Sequence, residues 1–133
     1  MGVTTSKYLG YVVDIQKEWD KLLDEQQDFW SLSKENDTET FKPYYVTGNP
    51  EGRITIVYDG MNGEYTKLIY VIAYCRGVSD DDEKMVEKIN ENLADAVVPM
   101  DVRYKLREIY KQIFKVDHIT DFEVHMEYFI HWS

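Results

Sequence analysis

The stretch from Arg53 to Cys75, RITIVYDGMNGEYTKLIYVIAYC, decides the fold because it places a turn signal between two strand-like segments. The dipeptide Asn62-Gly63 tolerates the positive φ angles that a two-residue hairpin turn requires. With this turn, Ile56 is expected to face Ile69 across the two strands. The stretch therefore predicts an antiparallel hairpin.

The second arm of this hairpin, residues 64–75, is apolar on both faces. Alternation assigns its side chains to two sets: Leu68, Tyr70, Ile72 and Tyr74 on one face, and Ile69, Val71 and Ala73 on the other. A strand that is apolar on both faces is typical of a sheet covered on both sides. We therefore expect this arm to be the central strand.

The N-terminal segment shows the spacing of a helix. Its apolar residues recur along one helical face from Tyr8 to Trp30. Gly10 lies within this pattern and lowers helix stability by about 1 kcal/mol relative to alanine. The spacing predicts a long amphipathic helix over residues 5–31.

The remaining elements follow from shorter patterns. Residues 41–47 predict a strand, which Pro43 assigns to a sheet edge because proline has no N–H to donate. Ser79 is a predicted helix cap. The inner face of the helix that it caps is predicted to consist of Met85, Ile89, Leu93 and Ala96. A further helix is predicted to begin near Asp101, with Val102, Leu106, Ile109, Ile113 and Phe114 facing inward. Strict alternation over residues 122–132 predicts a last strand with one face on the core and one in water.

These elements define an α+β fold. The predicted order is α-β-β-β-α-α-β, with a single, mostly antiparallel four-stranded sheet packed by three helices. No linker, repeat or low-complexity tract divides the sequence, so we expect one domain over residues 1–133.

The charge balance indicates what kind of partner the chain prefers. Twenty-five acidic and 15 basic residues give a net charge of −10 over 133 residues. Nucleic acid binding needs clustered basic side chains to neutralise phosphates, so this composition argues against a direct nucleic acid partner. The charge predicts a basic protein surface as the partner. A simpler explanation of the negative charge is that it only keeps the protein soluble.

The sequence gives no sign of a membrane segment or a disulfide framework. The longest apolar stretch, Leu68 to Cys75, is far shorter than the ~20 residues that span a bilayer. The first ten residues lack the pattern of a signal peptide, and Cys75 is the only cysteine. We expect a cytoplasmic protein without a membrane partner, and the oligomeric state stays open, a homodimer included.

Motifs for catalysis are missing from the sequence. Glycine spacings of nucleotide-binding loops, a Gly-x-Ser-x-Gly elbow and a His-Glu-x-x-His motif do not occur. We therefore expect neither a catalytic activity nor a cofactor.

One face of the last strand carries groups that bind metals: Glu123, His125, Glu127 and His131. His125 and His131 are six residues apart, about 20 Å along an extended strand, so the two imidazoles cannot share one ion. A solvated polar face is the simpler interpretation. The alternative function is a metal-dependent enzyme using this face, or a small-molecule-sequestering protein whose tyrosines stack on a ligand.

Charge is unevenly distributed along the two predicted C-terminal helices. The first helix is acidic, and its carboxylates are our candidates for contact with a partner: Asp80, Asp81, Asp82, Glu83, Glu87 and Glu91. The second carries basic residues every four positions, Arg103, Arg107, Lys111 and Lys115. These could bind an acidic partner, although pairing with the protein's own acidic helix is the simpler prediction.

The function that these features favour is binding of another protein. A small acidic domain of this kind is expected to mask the basic surface of a nuclease, a toxin or a nucleic-acid-binding protein, as inhibitors and immunity proteins do. Opposite charges across such an interface mainly raise the association rate and the specificity.

Overall fold

The computed structural model describes residues 5–24, 38, 41–42, 49–59, 63–77, 80–119 and 122–132, except the side chains of residues 23–24, 42 and 80–84. In chain order the elements are β1 (Thr5–Asp14), α1 (Gln16–Asp24), β2 (Phe41–Lys42), β3 (Ile54–Tyr58), β4 (Thr66–Arg76), α2 (Asp80–Leu93), α3 (Met100–Phe114) and β5 (His125–Trp132). The strands form one sheet in the order β2-β3-β4-β1-β5.

The predicted α+β class with a mostly antiparallel sheet and three helices is confirmed. Four long strands pair antiparallel, and the two residues of β2 add to the edge in parallel with β3. Several predicted features lie outside the described residues: the helix beyond residue 24, residues 43–47 of the edge strand with Pro43, the Asn62 turn position and the Ser79 cap.

The N-terminal prediction is wrong over residues 5–14, which form a strand between β4 and β5 instead of the start of a helix. Tyr8 and Val12 are both buried on the same face of β1. A spacing of four residues returns to the same side in a strand and nearly so in a helix, so this pattern did not separate the two. The helix begins only at Gln16, whose N–H donates to Asp14 Oδ1 at 3.0 Å.

A bulge in β4 changes which side chains share a face. Gly10 of β1 pairs with Val71 and Leu9 with Ala73, so Ile72 is an additional residue on β4. Beyond this point the alternation is reversed, and Tyr74 packs beside Tyr8 at a ring distance of 5.1 Å. The prediction that Tyr74 shares a face with Leu68 is therefore wrong.

Gly10 makes this bulge sterically feasible. A Cβ atom at Gly10 would lie 2.2 Å from the carbonyl oxygen of Tyr70 and 2.8 Å from Cγ1 of Ile69. The glycine that weakened the helix prediction thus marks a close approach of two strands.

The hairpin register differs by one residue from the expected register. Ile56 pairs with Leu68, and Ile69 pairs with Thr55. A shift of one residue exchanges the two faces of a strand, so the predicted contact of Ile56 with Ile69 is not formed.

The sheet separates two apolar clusters. The face covered by helices, here called the helical face, packs Leu68, Ile54 and Ile56 against the buried stripe of α3, which is Val102, Leu106, Ile109 and Ile113 as predicted. The other face, here called the opposite face, buries Tyr8, Val12, Val57, Ile69, Val71 and Phe129.

The outer edge of the sheet at β5 is covered by α2. The side-chain amide of Asn90 accepts from Tyr128 N–H at 2.8 Å and donates to the Tyr128 carbonyl at 2.9 Å. At Tyr128, this side chain makes the two hydrogen bonds that a further strand would make there. Met85, predicted on the inner side of α2, is 51% exposed. No helix among the described residues is long and apolar enough to cross a membrane.

Candidate functional site

The predicted contact residues lie on α2, the most acidic helix. Positions 80–83 form its first turn, and their side chains are outside the described set. Glu87 and Glu91 are exposed one turn apart on the same side of the helix. Within the part of the chain that the structure describes, neither carboxylate makes an ion pair. The helix register extends this line back to position 83, and we call positions 83, 87 and 91 the acidic line.

The acidic line is unfavourable for the isolated helix. Like charges four residues apart cost roughly 0.2–0.5 kcal/mol per pair. The last turn of α2 contains no basic residue, although a helix C-terminus favours positive charge. These charges therefore produce a negative potential that α2 itself does not neutralise.

The basic residues of α3 make no ion pair with the described side chains of α2. Arg103, Arg107 and Lys111 of α3 are half-buried. Lys111 Nζ lies 3.6 Å from Glu108 on its own helix. No ion pair joins Arg103 or Arg107 to α2 among the residues with described side chains. The predicted pairing of the two helices is not formed there.

A second surface feature, which the sequence analysis missed, lies where α3 begins. Val97, Met100 and Tyr104 are 88%, 77% and 64% exposed, respectively. Met100 and Tyr104, one helical turn apart, lie on the side of α3 away from the buried stripe, and Val97 lies just before the helix. The signal was present in the sequence as apolar residues outside the core periodicity. We call these three residues the α3 patch.

The predicted His/Glu face lies on the opposite face of the sheet and is only partly solvated. Phe129, on the same side of β5, is buried against Tyr8 with stacked rings 5.3 Å apart. The alternating pattern predicts the polar side of β5, but the prediction did not include Phe129, which lies on the same side. The imidazoles of His125 and His131 lie at opposite ends of this face and have different partners.

Glu127 is the centre of one polar group on this face. Its carboxylate binds Lys67 Nζ from β4 and lies 3.0 Å from His125 Nε2. Burial alone would raise the pKa of Glu127, but the hydrogen bonds and charges of His125 and Lys67 outweigh it and lower the pKa. Lys67 also lies 4.3 Å from the centre of the Phe129 ring. The carboxylate is thus held ionised by its neighbours.

Tyr65 and His131 form the second polar group. The Tyr65 hydroxyl lies 2.8 Å from His131 Nδ1. Burial and the charge of Asp59 raise the pKa of Tyr65 to about 12, so the phenol stays protonated and can donate to the imidazole. Burial lowers the pKa of His131, which favours its neutral form. This pair is a partly buried hydrogen bond in which burial favours the neutral form of both groups.

These two groups offer little for metal binding or nucleophilic catalysis. Within the described residues no three His, Cys, Asp or Glu side chains are arranged to hold a metal ion. The Glu127 carboxylate already contacts Lys67 and His125, and Cys75 is exposed at the distant end of β4. The arrangement stabilises the pairing of β4, β1 and β5 across one face.

Comparison of the chain with models of protein families, with curated proteins and with solved structures gave no match in any of the three. The class that fold and surface define is therefore a small acidic α+β domain with an exposed charged helix.

Proposed function

We propose that this chain is a protein-binding module that covers the basic surface of its partner, in the manner of inhibitors and immunity proteins of nucleases, toxins or other nucleic-acid-binding proteins. The observation that supports this proposal is the exposure of Glu87 and Glu91 without ion pairs in the described structure. Together with Asp80, Asp81, Asp82 and Glu83 they form the contact surface.

The physical role of this surface is to attract the partner over a distance. Aligned carboxylates on a protein of net charge −10 raise the local concentration of a basic protein and orient it. Such steering acts mainly on the association rate and weakens as salt screens the charges.

The alternative function, a metal-dependent enzyme or a ligand-sequestering protein using the His/Glu face, has less support from this geometry. A metal ion at His125 and Glu127 would have to displace Lys67 from the carboxylate that it binds. Metal analysis of protein purified without chelators tests this alternative. Stoichiometric zinc or iron that is lost in His125→Ala would favour it over the binding module.

The binding module is tested by affinity capture from the cells that produce the chain, at low and at high salt. The captured protein is then purified, and its association rate is measured with wild type and with the double variant Glu87→Lys/Glu91→Lys. We expect the variant to associate about tenfold more slowly at low salt, because the steering potential is reversed at two positions.

The matched control is Asp117→Lys/Glu123→Lys, which changes the net charge by the same amount at two exposed positions outside α2. This control is expected to slow association far less than the α2 variant. Equal effects of the two double variants would show that the net charge alone governs binding, and would remove α2 from the interface.

A further inference from the structure

Two arginines on α3 are partly buried and have no counter-ion. Arg103 and Arg107 lie one helical turn apart, and both are half-buried. Neither side chain forms an ion pair or a hydrogen bond with another described residue. Partial burial of a positive charge costs free energy, which an opposite charge normally offsets. The two guanidinium groups therefore favour an anion beside them.

The Arg107 side chain is shielded at its base and accessible at its tip. Its Nε atom is buried and has no hydrogen-bond partner among the described residues. The terminal guanidinium nitrogens are neither buried nor hydrogen-bonded, so they are the atoms that a ligand can reach. A side chain that is already enclosed at its base loses less conformational entropy when its tip binds a ligand.

Aromatic rings lie on the same side of α3 as the two arginines. Spacings of four, three and four residues place on this side Arg103, Arg107, Tyr110 and Phe114. The Tyr110 ring lies 4.6 Å from the Phe114 ring and 5.6 Å from the ring of Phe122. These rings exclude water beside Arg107, and the attraction between opposite charges is stronger where water is excluded.

An acidic side chain of α1 lies near this group without neutralising it. Burial and the charge of Glu18 raise the pKa of Tyr110, so Glu18 lies close to the aromatic end of the stripe. Glu18 forms no ion pair with Arg103 or Arg107 within the described residues. Its charge is expected to oppose the binding of an anion, which makes its removal informative.

We propose that Arg103 and Arg107 bind the phosphate group of a small-molecule phosphate monoester. A phosphate monoester carries a charge of about −1.5 to −2, which matches the two positive charges. A carboxylate supplies one charge and two oxygens, which a single arginine satisfies. Nucleic acid needs a longer row of basic residues and is opposed by the chain's net charge of −10. A single phosphate group interacts mainly with the two adjacent arginines, because salt screens charges beyond about 8 Å.

NMR spectra of the arginine Nε–Hε groups test the site while inorganic phosphate is added at constant ionic strength. Arg103 and Arg107 are expected to shift in a saturable way, with a dissociation constant on the order of 1 mM. Arg53 and Arg76, near the ends of β3 and β4, are internal controls and are expected to stay unchanged. Acetate is expected to bind at least ~tenfold more weakly than phosphate.

Charge-removing variants locate the site. Arg107→Gln is expected to raise the dissociation constant for phosphate at least ~tenfold, because a charge-assisted hydrogen bond is lost. The matched control is Lys105→Gln, which removes the same charge from an exposed position of α3 outside this stripe and is expected to change the constant less than about twofold. Glu18→Gln is expected to lower the constant.

Several results would overturn the proposal: no saturable shift of the two arginines, acetate binding as tightly as phosphate, or equal effects of Arg107→Gln and Lys105→Gln. Circular dichroism establishes that each variant is folded, and Arg103→Gln replaces Arg107→Gln if the latter does not fold. Glycerol phosphate and a phosphoserine peptide separate the two sources of a phosphate monoester. Similar affinities support a small-molecule ligand, whereas a peptide that binds more than ~tenfold tighter assigns the site to a phosphorylated protein instead.

Discussion

Asn90 provides a direct test of how α2 is attached to the sheet. Its amide makes two hydrogen bonds, at 2.8 and 2.9 Å, to the backbone of Tyr128 on β5, the last strand in the sheet order. Asn90→Ala removes both. At roughly 0.5–1.5 kcal/mol for each bond, the free energy of unfolding is expected to fall by about 1–3 kcal/mol.

Asn92→Ala is the matched control, because Asn92 is exposed on the same helix. Replacing asparagine by alanine raises helix propensity by up to ~0.7 kcal/mol at either position, so the difference between the two variants isolates the hydrogen bonds. Asn90→Asp keeps an acceptor for the Tyr128 N–H but puts a negative charge against the Tyr128 carbonyl. It is expected to be at least as destabilising as Asn90→Ala.

The assay is urea unfolding followed by circular dichroism, with the free energy obtained by linear extrapolation. At constant m value, Asn90→Ala shifts the midpoint to lower urea, and Asn92→Ala leaves it the same or slightly higher. Equal unfolding free energies for these two variants would refute the reasoning, because the edge bonds would then contribute nothing.

Two further predictions concern β1 and the opposite face of the sheet. Gly10→Ala is expected to cost about 3 kcal/mol or more of unfolding free energy, because the added Cβ meets the Tyr70 carbonyl oxygen at 2.2 Å; a loss below ~1 kcal/mol in urea unfolding contradicts this close approach. Burial lowers the pKa of His131, so the unfolded chain binds the proton at higher pH than the folded chain, and stability falls as the pH drops below about 6.5. His131→Gln should flatten this decline in urea midpoints measured from pH 7 to pH 5, whereas His118→Gln, at an exposed position, should keep it.

Local periodicity was sufficient for the elements that pack by one face. The buried stripe of α3 and the existence of β3, β4 and β5 follow from apolar spacing alone. Local periodicity failed where a helix and a strand share the same spacing of apolar residues, as with Tyr8 and Val12 in β1. There the pairing of β1 with two neighbouring strands determined the structure, and a single sequence does not show such long-range pairing.

The candidate site was predictable in part. The acidic line could be predicted from the sequence alone, because acidic residues at a spacing of four lie on one side of a helix. Identifying the α3 patch required the exposed fraction of each side chain in the structure, which shows that Met100 and Tyr104 lie away from the core. The bulge at Ile72 and the neighbours of Glu127 depend on strand register, which a shift of one residue reverses.

The helix that carries the exposed carboxylates also shields β5 through Asn90. Any event that draws α2 away from the sheet leaves backbone groups of β5 open to pairing with other chains, which is a common start of aggregation. The proposed partner contact and the protection of β5 therefore lie on the same fourteen-residue helix. A partner that pulled α2 away from the sheet would therefore be expected to promote polymerisation through β5.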